Sequence, residues 1–170
     1  MQVVGANIVA LVAASGIATA SAQWRSVDAN GTEAVFFDQA SLRQINKNIA
    51  QADFASAWKV PDDAIYPSFK ISGVSVVVER WKGDCVSGTI TLTLRDYYSD
   101  SGMHLKRVKA ATLVPVTPKG DSRGSELLNL LCGRPEMLGD TFAGGPAELV
   151  RVVRERRVEP KPRPTPKARP

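Results

Sequence analysis

Residues 73–102, GVSVVVERWKGDCVSGTITLTLRDYYSDSG, decide the fold class of this 170-residue chain. They hold two runs of strand character that meet beside Cys85. In residues 86–98, Ile90, Leu92 and Leu94 alternate with Thr89, Thr91, Thr93 and Arg95. A period of two with β-branched residues predicts a strand buried on one side and wet on the other, with the three aliphatics sharing a face. The preceding Val74-Ser75-Val76-Val77-Val78 is β-branched as well, and Ser99-Asp100-Ser101-Gly102 is a turn signal. An antiparallel sheet follows, with a face that needs a cover.

Upstream, Trp24-Arg25-Ser26-Val27 reads as a short strand and Asp28-Ala29-Asn30-Gly31 as a turn. Residues 33–38 return as a second strand, with Val35 and Phe37 on one face and Phe36 on the other. Residues 38–43 look like one helical turn capped by Asp38. After a turn at Asn46-Lys47-Asn48, residues 49–58 form a third strand that admits a bulge, and 61–67 a loop with Asp62, Asp63 and Tyr66.

Downstream, residues 104–111 carry Lys106, Arg107 and Lys109, charges that suit a sheet edge. Pro115 and Pro118 make 112–119 a crossing loop or an edge strand. Asp121 or Ser122 then caps a helix to about Cys132, with Leu127, Leu128 and Leu131 on one face. Gly124 permits close approach, Gly133 ends the helix and Pro135 stops it. The expected fold is α+β: five to six antiparallel strands covered by a C-terminal helix over residues 23–135. Residues 136–158 read as a linker, with a short basic amphipathic helix possible from Pro146, and 159–170 as a disordered Pro/Lys/Arg-rich tail.

Residues 1–22 have the pattern of a secretory signal: an apolar run through Ile8-Val9-Ala10-Leu11-Val12-Ala13-Ala14, then Ala20-Ser21-Ala22 as a cleavage site. The competing reading is a retained membrane anchor. With cleavage, no transmembrane segment is expected, and the protein is exported to the periplasm, the outer-membrane surface or the medium. An oxidising compartment makes Cys85 and Cys132 a candidate disulfide between sheet and helix. Two free thiols or a metal pair are the alternatives; a metal needs further ligands, and His104 is the only histidine.

The net charge of +5 is uneven. Residues 151–170 hold eight cations (Arg151, Arg154, Arg156, Arg157, Lys161, Arg163, Lys167 and Arg169) against two acids, or +6. The preceding residues hold 14 against 15, or −1, so nucleic-acid binding by the domain has no electrostatic basis. The eight tail cations are the candidate contacts to an anionic envelope surface.

In order along the chain, Trp24, Gly31, Phe37-Asp38-x-x-Ser41-Leu42, Asp84-Cys85, Tyr97-Tyr98-x-Asp100-x-Gly102 and Gly124-Ser125 lead to the helix that closes on Cys132. Together they resemble the surface-adhesin protein E-like family of bacterial envelope proteins, over about residues 24–134. The resemblance implies an antiparallel sheet packed by a C-terminal helix, a disulfide and a non-enzymatic envelope role. The family's founding adhesin binds host matrix and serum proteins. This chain lacks that adhesin's lipid-anchor cysteine and adds the basic tail.

No catalytic constellation stands out. His104 reads as a surface residue, and Asp62-Asp63 and the Asp96/Asp100 pair as solvated loop or turn acids. The glycines at 83, 88, 102, 120 and 124 match no phosphate-cradling spacing. Trp24, Trp58 and Trp81 read as core or sheet-face aromatics. No enzyme activity, cofactor or metal is expected. The functional expectation is a binding module for a matrix or serum protein, with a structural protein held to the envelope by its tail as the alternative.

Overall fold

The computed structural model describes residues 21–61, 71–110, 113–133 and 138–155. Seven strands form one antiparallel sheet: β1 (Gln23–Ala29), β2 (Glu33–Asn46), β3 (Ile49–Trp58), β4 (Val76–Asp84), β5 (Thr89–Tyr98), β6 (His104–Lys109) and β7 (Thr141–Ala143). Their order is β6-β5-β4-β3-β2-β1-β7, so β1 to β6 form a meander and β7 returns beside β1. Two nine-residue helices, α1 (Arg123–Leu131) and α2 (Pro146–Arg154), lie on opposite faces.

Alternation along the strands separates the two cores. On one face Val35 and Phe37 of β2, Ala50, Ala52 and Phe54 of β3, and Ile90 of β5 pack against Leu127, Leu130 and Leu131 of α1. On the other, Trp24, Ala34, Phe36, Ala55, Ala57 and Val76 pack against Leu149, Val150, Val152 and Val153 of α2. The split of Val35 and Phe37 from Phe36 agrees with the sequence reading. Trp24 is a core residue, and Trp81 and Trp58 lie half-buried against apolar clusters.

The helices cover different ends of the sheet. α1 sits toward the turns at Asn46–Asn48 and Cys85–Gly88, where a side chain on Gly83 would meet Leu131 at 3.0 Å. α2 sits toward the opposite strand ends, over Ala57 and Val76. Beyond α1 on its own face, Ile71 and Val74 pack with Trp58, Val77, Tyr97, Leu105 and Val108. Beyond α2 on its face lies a polar region described below.

Several expectations need correction. Residues 38–43 are strand, not a helical turn. The local hydrogen bonds that suggested a cap are present: Ala40 N donates to Asp38 Oδ1 at 3.1 Å and Ser41 Oγ to the Asp38 carbonyl at 2.7 Å. But Ser41 Oγ also accepts from Asp53 N at 2.7 Å, standing in for a ladder carbonyl, so the motif bends β2 without ending it. The irregularity expected in β3 thus lies in β2; β3 pairs with β4 without a register break.

Ile90, Leu92 and Leu94 do not share a face. Trp81 pairs with Leu92 and Arg80 with Leu94, leaving Thr93 as an extra residue whose hydroxyl donates to the Arg80 carbonyl at 3.0 Å. This bulge shifts the phase, so Leu94, Asp96 and Tyr98 face α2's side while Arg95 and Tyr97 join Ile90's side.

Among the described residues the sheet has seven strands rather than five to six, because Thr141–Ala143, expected to be linker, form a strand. β7 pairs with β1, and α2 buries its whole apolar stripe. Glycine content hid β7: Gly139 donates its N–H to the Ser26 carbonyl at 2.8 Å and lies against Ser26, while Gly144 takes φ 132° to turn from β7 into α2. Pro146 begins α2, which ends at Arg154.

β6 is the charged edge strand expected, and Val116 bridges to Ile90 as a short edge segment. α1 is capped by Ser122, whose hydroxyl accepts from Ser125 N, and Gly124 approaches Pro118 and Ile90. The Asp62/Asp63/Tyr66 loop, Pro135, the signal through Ala20 and the tail from Arg156 lie outside the described residues.

Candidate functional site

Cys85 follows β4 as the first residue of the turn and Cys132 caps α1; their sulfurs are bonded at 2.04 Å. The bond ties the α1 face to the β4–β5 turn, whose Cys85 N–H also reaches the Asn48 carbonyl at 2.9 Å. Among the described residues no free cysteine remains and no cluster of His, Cys, Asp and Glu could hold a metal ion.

The most organised polar chemistry lies on α2's face, beyond the helix. Asp53 of β3 takes a two-pronged hydrogen bond from Arg80 of β4, at 2.7 and 2.9 Å. One strand further, Asp96 of β5 takes the same fork from Arg107 of β6, at 2.7 and 2.8 Å, and contacts His104 Nε2 at 2.9 Å. The His104 ring meets the Tyr98 ring edge-on, with centroids 5.2 Å apart. Register places these residues: Asp53 is opposite Arg80, and Asp96 is opposite Arg107.

The two carboxylates are mostly covered, with side chains 17% and 8% exposed, while Arg80 and Arg107 are 42% and 57% exposed. Acids below and cations above is the arrangement that results. Burial pushes the Asp96 carboxyl up, but hydrogen bonds and charge from Arg107 and His104 outweigh it and hold it below the ordinary carboxylate range. The Asp53 hydrogen bond raises the Arg80 guanidinium further, against desolvation. Such forks hold each guanidinium in one plane with its outer edge to solvent.

The Asp96/Asp100 pair of the sequence reading does not form a unit. Asp96 belongs to the lattice just described, and Asp100 faces Arg154 of α2 at 3.3 Å. His104 is half-exposed, as expected of a surface residue, but it is held by Asp96. The Asp53–Arg80 fork was not anticipated. A charged residue in mid-strand at one position on each of four neighbouring strands was the available signal, and it is readable only once the register is known.

Of the tail cations, Arg151 is held by Glu148 and Glu155, and Arg154 by the Lys59 carbonyl and Asp100. Both belong to the folded domain. Arg156, Arg157, Lys161, Arg163, Lys167 and Arg169 lie outside the described residues. Among the described residues no helix is long and apolar enough to cross a membrane.

The quoted motif residues have structural roles. Asp38 and Ser41 bend β2, Asp84 turns the chain at the disulfide, and Tyr98, Asp100 and Gly102 receive α2. A side chain on Gly102 would meet Ala147 at 3.0 Å. No curated protein and no solved structure matches the chain significantly. A family model described as surface-adhesin protein E matches residues 24–133, from the start of β1 through the disulfide at the end of α1. On that match, which spans well over half of its length, the chain belongs to the surface-adhesin protein E family.

Proposed function

We propose that the protein is an exported, non-enzymatic envelope protein that acts by binding, with a host matrix or serum protein as the partner class. The family match over β1 to α1 carries this reading. The export pattern of residues 1–22 and the disulfide support it, since such bonds persist in oxidising compartments. The Asp96 lattice supports binding over catalysis: its histidine and arginines are committed to carboxylates, leaving a fixed polar surface.

The second reading is a structural envelope protein held by its tail. Residues 156–170 favour it, with six cations against one acid. Arg151 and Arg154 drop out of this reading because they are paired within the fold.

Cell fractionation with the full chain and with a chain ending at Glu155 tests both. The first reading expects export, a mature start at Gln23, and adhesion of expressing cells to immobilised matrix protein with either chain. The second expects envelope retention that is lost without the tail and in high salt. Protein confined to the cytoplasm with its N-terminus intact overturns both.

A further inference from the structure

We infer that the part of the sheet beside α2 and left uncovered by it is a docking surface for an acidic, linear polysaccharide. The inference rests on the binding reading above and adds a place and a partner class to it.

Strand register defines the surface. Arg43, Gln51, Lys82 and Thr91 are paired in one row across β2, β3, β4 and β5. Asp38, Asp53, Arg80, Leu94 and Lys109 make the next row, and Asp96 and Arg107 follow. Directly paired residues project from the same side, and Asp53, Arg80 and Asp96 lie two residues from Ala55, Val78 and Tyr98 of the α2 core, which fixes that side as α2's. Five cations therefore stand on one face: Arg43, Arg80, Lys82, Arg107 and Lys109.

The acids here are committed beneath them. Asp38 accepts from the N–H groups of Gln23 and Ala40, Asp53 from Arg80, and Asp96 from Arg107 and His104. Asp84, at the margin, accepts from the N–H groups of Val86 and Ser87. Arg43, Lys82 and Lys109 have no acid partner among the described residues. The outward chemistry is cationic, and two of its groups are already held rigid, which lowers the ordering cost of binding an anion.

Shape selects among anions. α2 lies on the same face, so the cationic floor is a step about 10 Å below the helix's outer side, one helix diameter. A flat bilayer resting on α2 cannot reach that floor; a chain one sugar wide can lie along it. Cations two strands apart, such as Arg43 and Lys82 or Arg80 and Lys109, are spaced about 10 Å, roughly the length of a disaccharide, a repeat suited to a polymer with an anionic group on each disaccharide. The chain's own basic tail is excluded by its charge, and so is a second copy presenting the same face.

The test is titration of the full chain with a size-defined heparin octasaccharide at about 50 mM and about 500 mM salt, where screening lengths differ severalfold. The expected result is binding that weakens with salt. In R43Q/K82Q/K109Q it falls about tenfold, in line with three modest ion pairs, with melting unchanged. A tail control, R163Q/K167Q/R169Q, stays within about twofold of the parent. The inference is overturned by no binding, by equal binding of the sheet variant, or by loss confined to the tail control. Tighter binding to phosphatidylglycerol vesicles with the same variant dependence overturns the choice of polysaccharide. None of these outcomes bears on export or adhesion, which the fractionation experiment reads separately.

Discussion

The two helices are the same length and do the same job on opposite faces of one sheet, yet they are attached differently. α1 is fixed covalently at its C-cap by Cys132, is capped by Ser122, and lies close over Gly83. α2 has no side-chain cap and no covalent tie; Leu149, Val150, Val152 and Val153 hold it, each at most 4% exposed. α1 closes the family-matched segment, and α2 lies beyond it. The contrast teaches that the matched segment is not self-sufficient in this chain. A sheet with Trp24, Phe36 and Val76 on its second face needs a second cover, and residues past the match supply it.

The largest expected effect comes from charging the uncrosslinked helix. Val152→Asp buries an unpaired carboxylate at a position with 0% exposure. That costs several kcal/mol, against a net stability of about 5–15 kcal/mol. We expect loss of cooperative thermal unfolding by circular dichroism; a melt like the parent's would mean α2 is not part of the fold.

Next is removal of the staple. C85A/C132A opens a loop with a separation of 47 residues, worth about 4 kcal/mol by chain entropy. The melting temperature should fall by roughly 10–20 °C with the sheet retained. A fall of a degree or two would show that the α1 face is held by packing alone, as α2 is.

A smaller effect is expected between the covers. Asp96→Asn keeps one acceptor oxygen but removes the charge that Arg107 and His104 face and turns the oxygen that accepts from Arg107 Nη2 into a donor, and should cost about 1–3 kcal/mol. Because the folded-state carboxyl titrates below its ordinary value, its contribution is intact above about pH 4 and fades as pH falls through the depressed value. Urea unfolding across that range should therefore show a shallower acid loss in the Asn variant than in the parent. Parallel slopes would contradict the ionic role.

The smallest effect is a null one. A chain ending at Glu155 should melt within about 2 °C of the parent, because α2 ends at Arg154 with its stripe already buried. A large drop would extend the fold past α2.

These differences also mark what the sequence made legible. The antiparallel sheet, the α1 cover and the β6 edge follow from alternation, capping and charge, all local signals, and the Cys85–Cys132 bond from compartment, cysteine parity and the placement of strand and helix. Four features did not. Thr93 looks like one more outward threonine, and only the pairing of Arg80 with Leu94 reveals it as a bulge. The Asp38-x-x-Ser41 hydrogen bonds are the same in a helix cap and in a bent strand, and the tertiary partner Asp53 decides. β7 was hidden because three residues between glycines carry no periodicity. The Asp53–Arg80 and Asp96–Arg107 forks join strands whose register no local pattern encodes.

The return of β7 to β1 has a consequence for how the chain is made. Trp24 Nε1 donates to the Gly144 carbonyl 120 residues later, and β1 gains its outer neighbour only from Thr141–Ala143. During synthesis, at roughly 5–20 residues per second, the first strand emerges several seconds before its last partner. Until then its tryptophan and the face around Phe36 have no cover, and the domain cannot lock from its N-terminus. Completion waits for α2, so the chain stays threadable until residues 141–154 have left the ribosome.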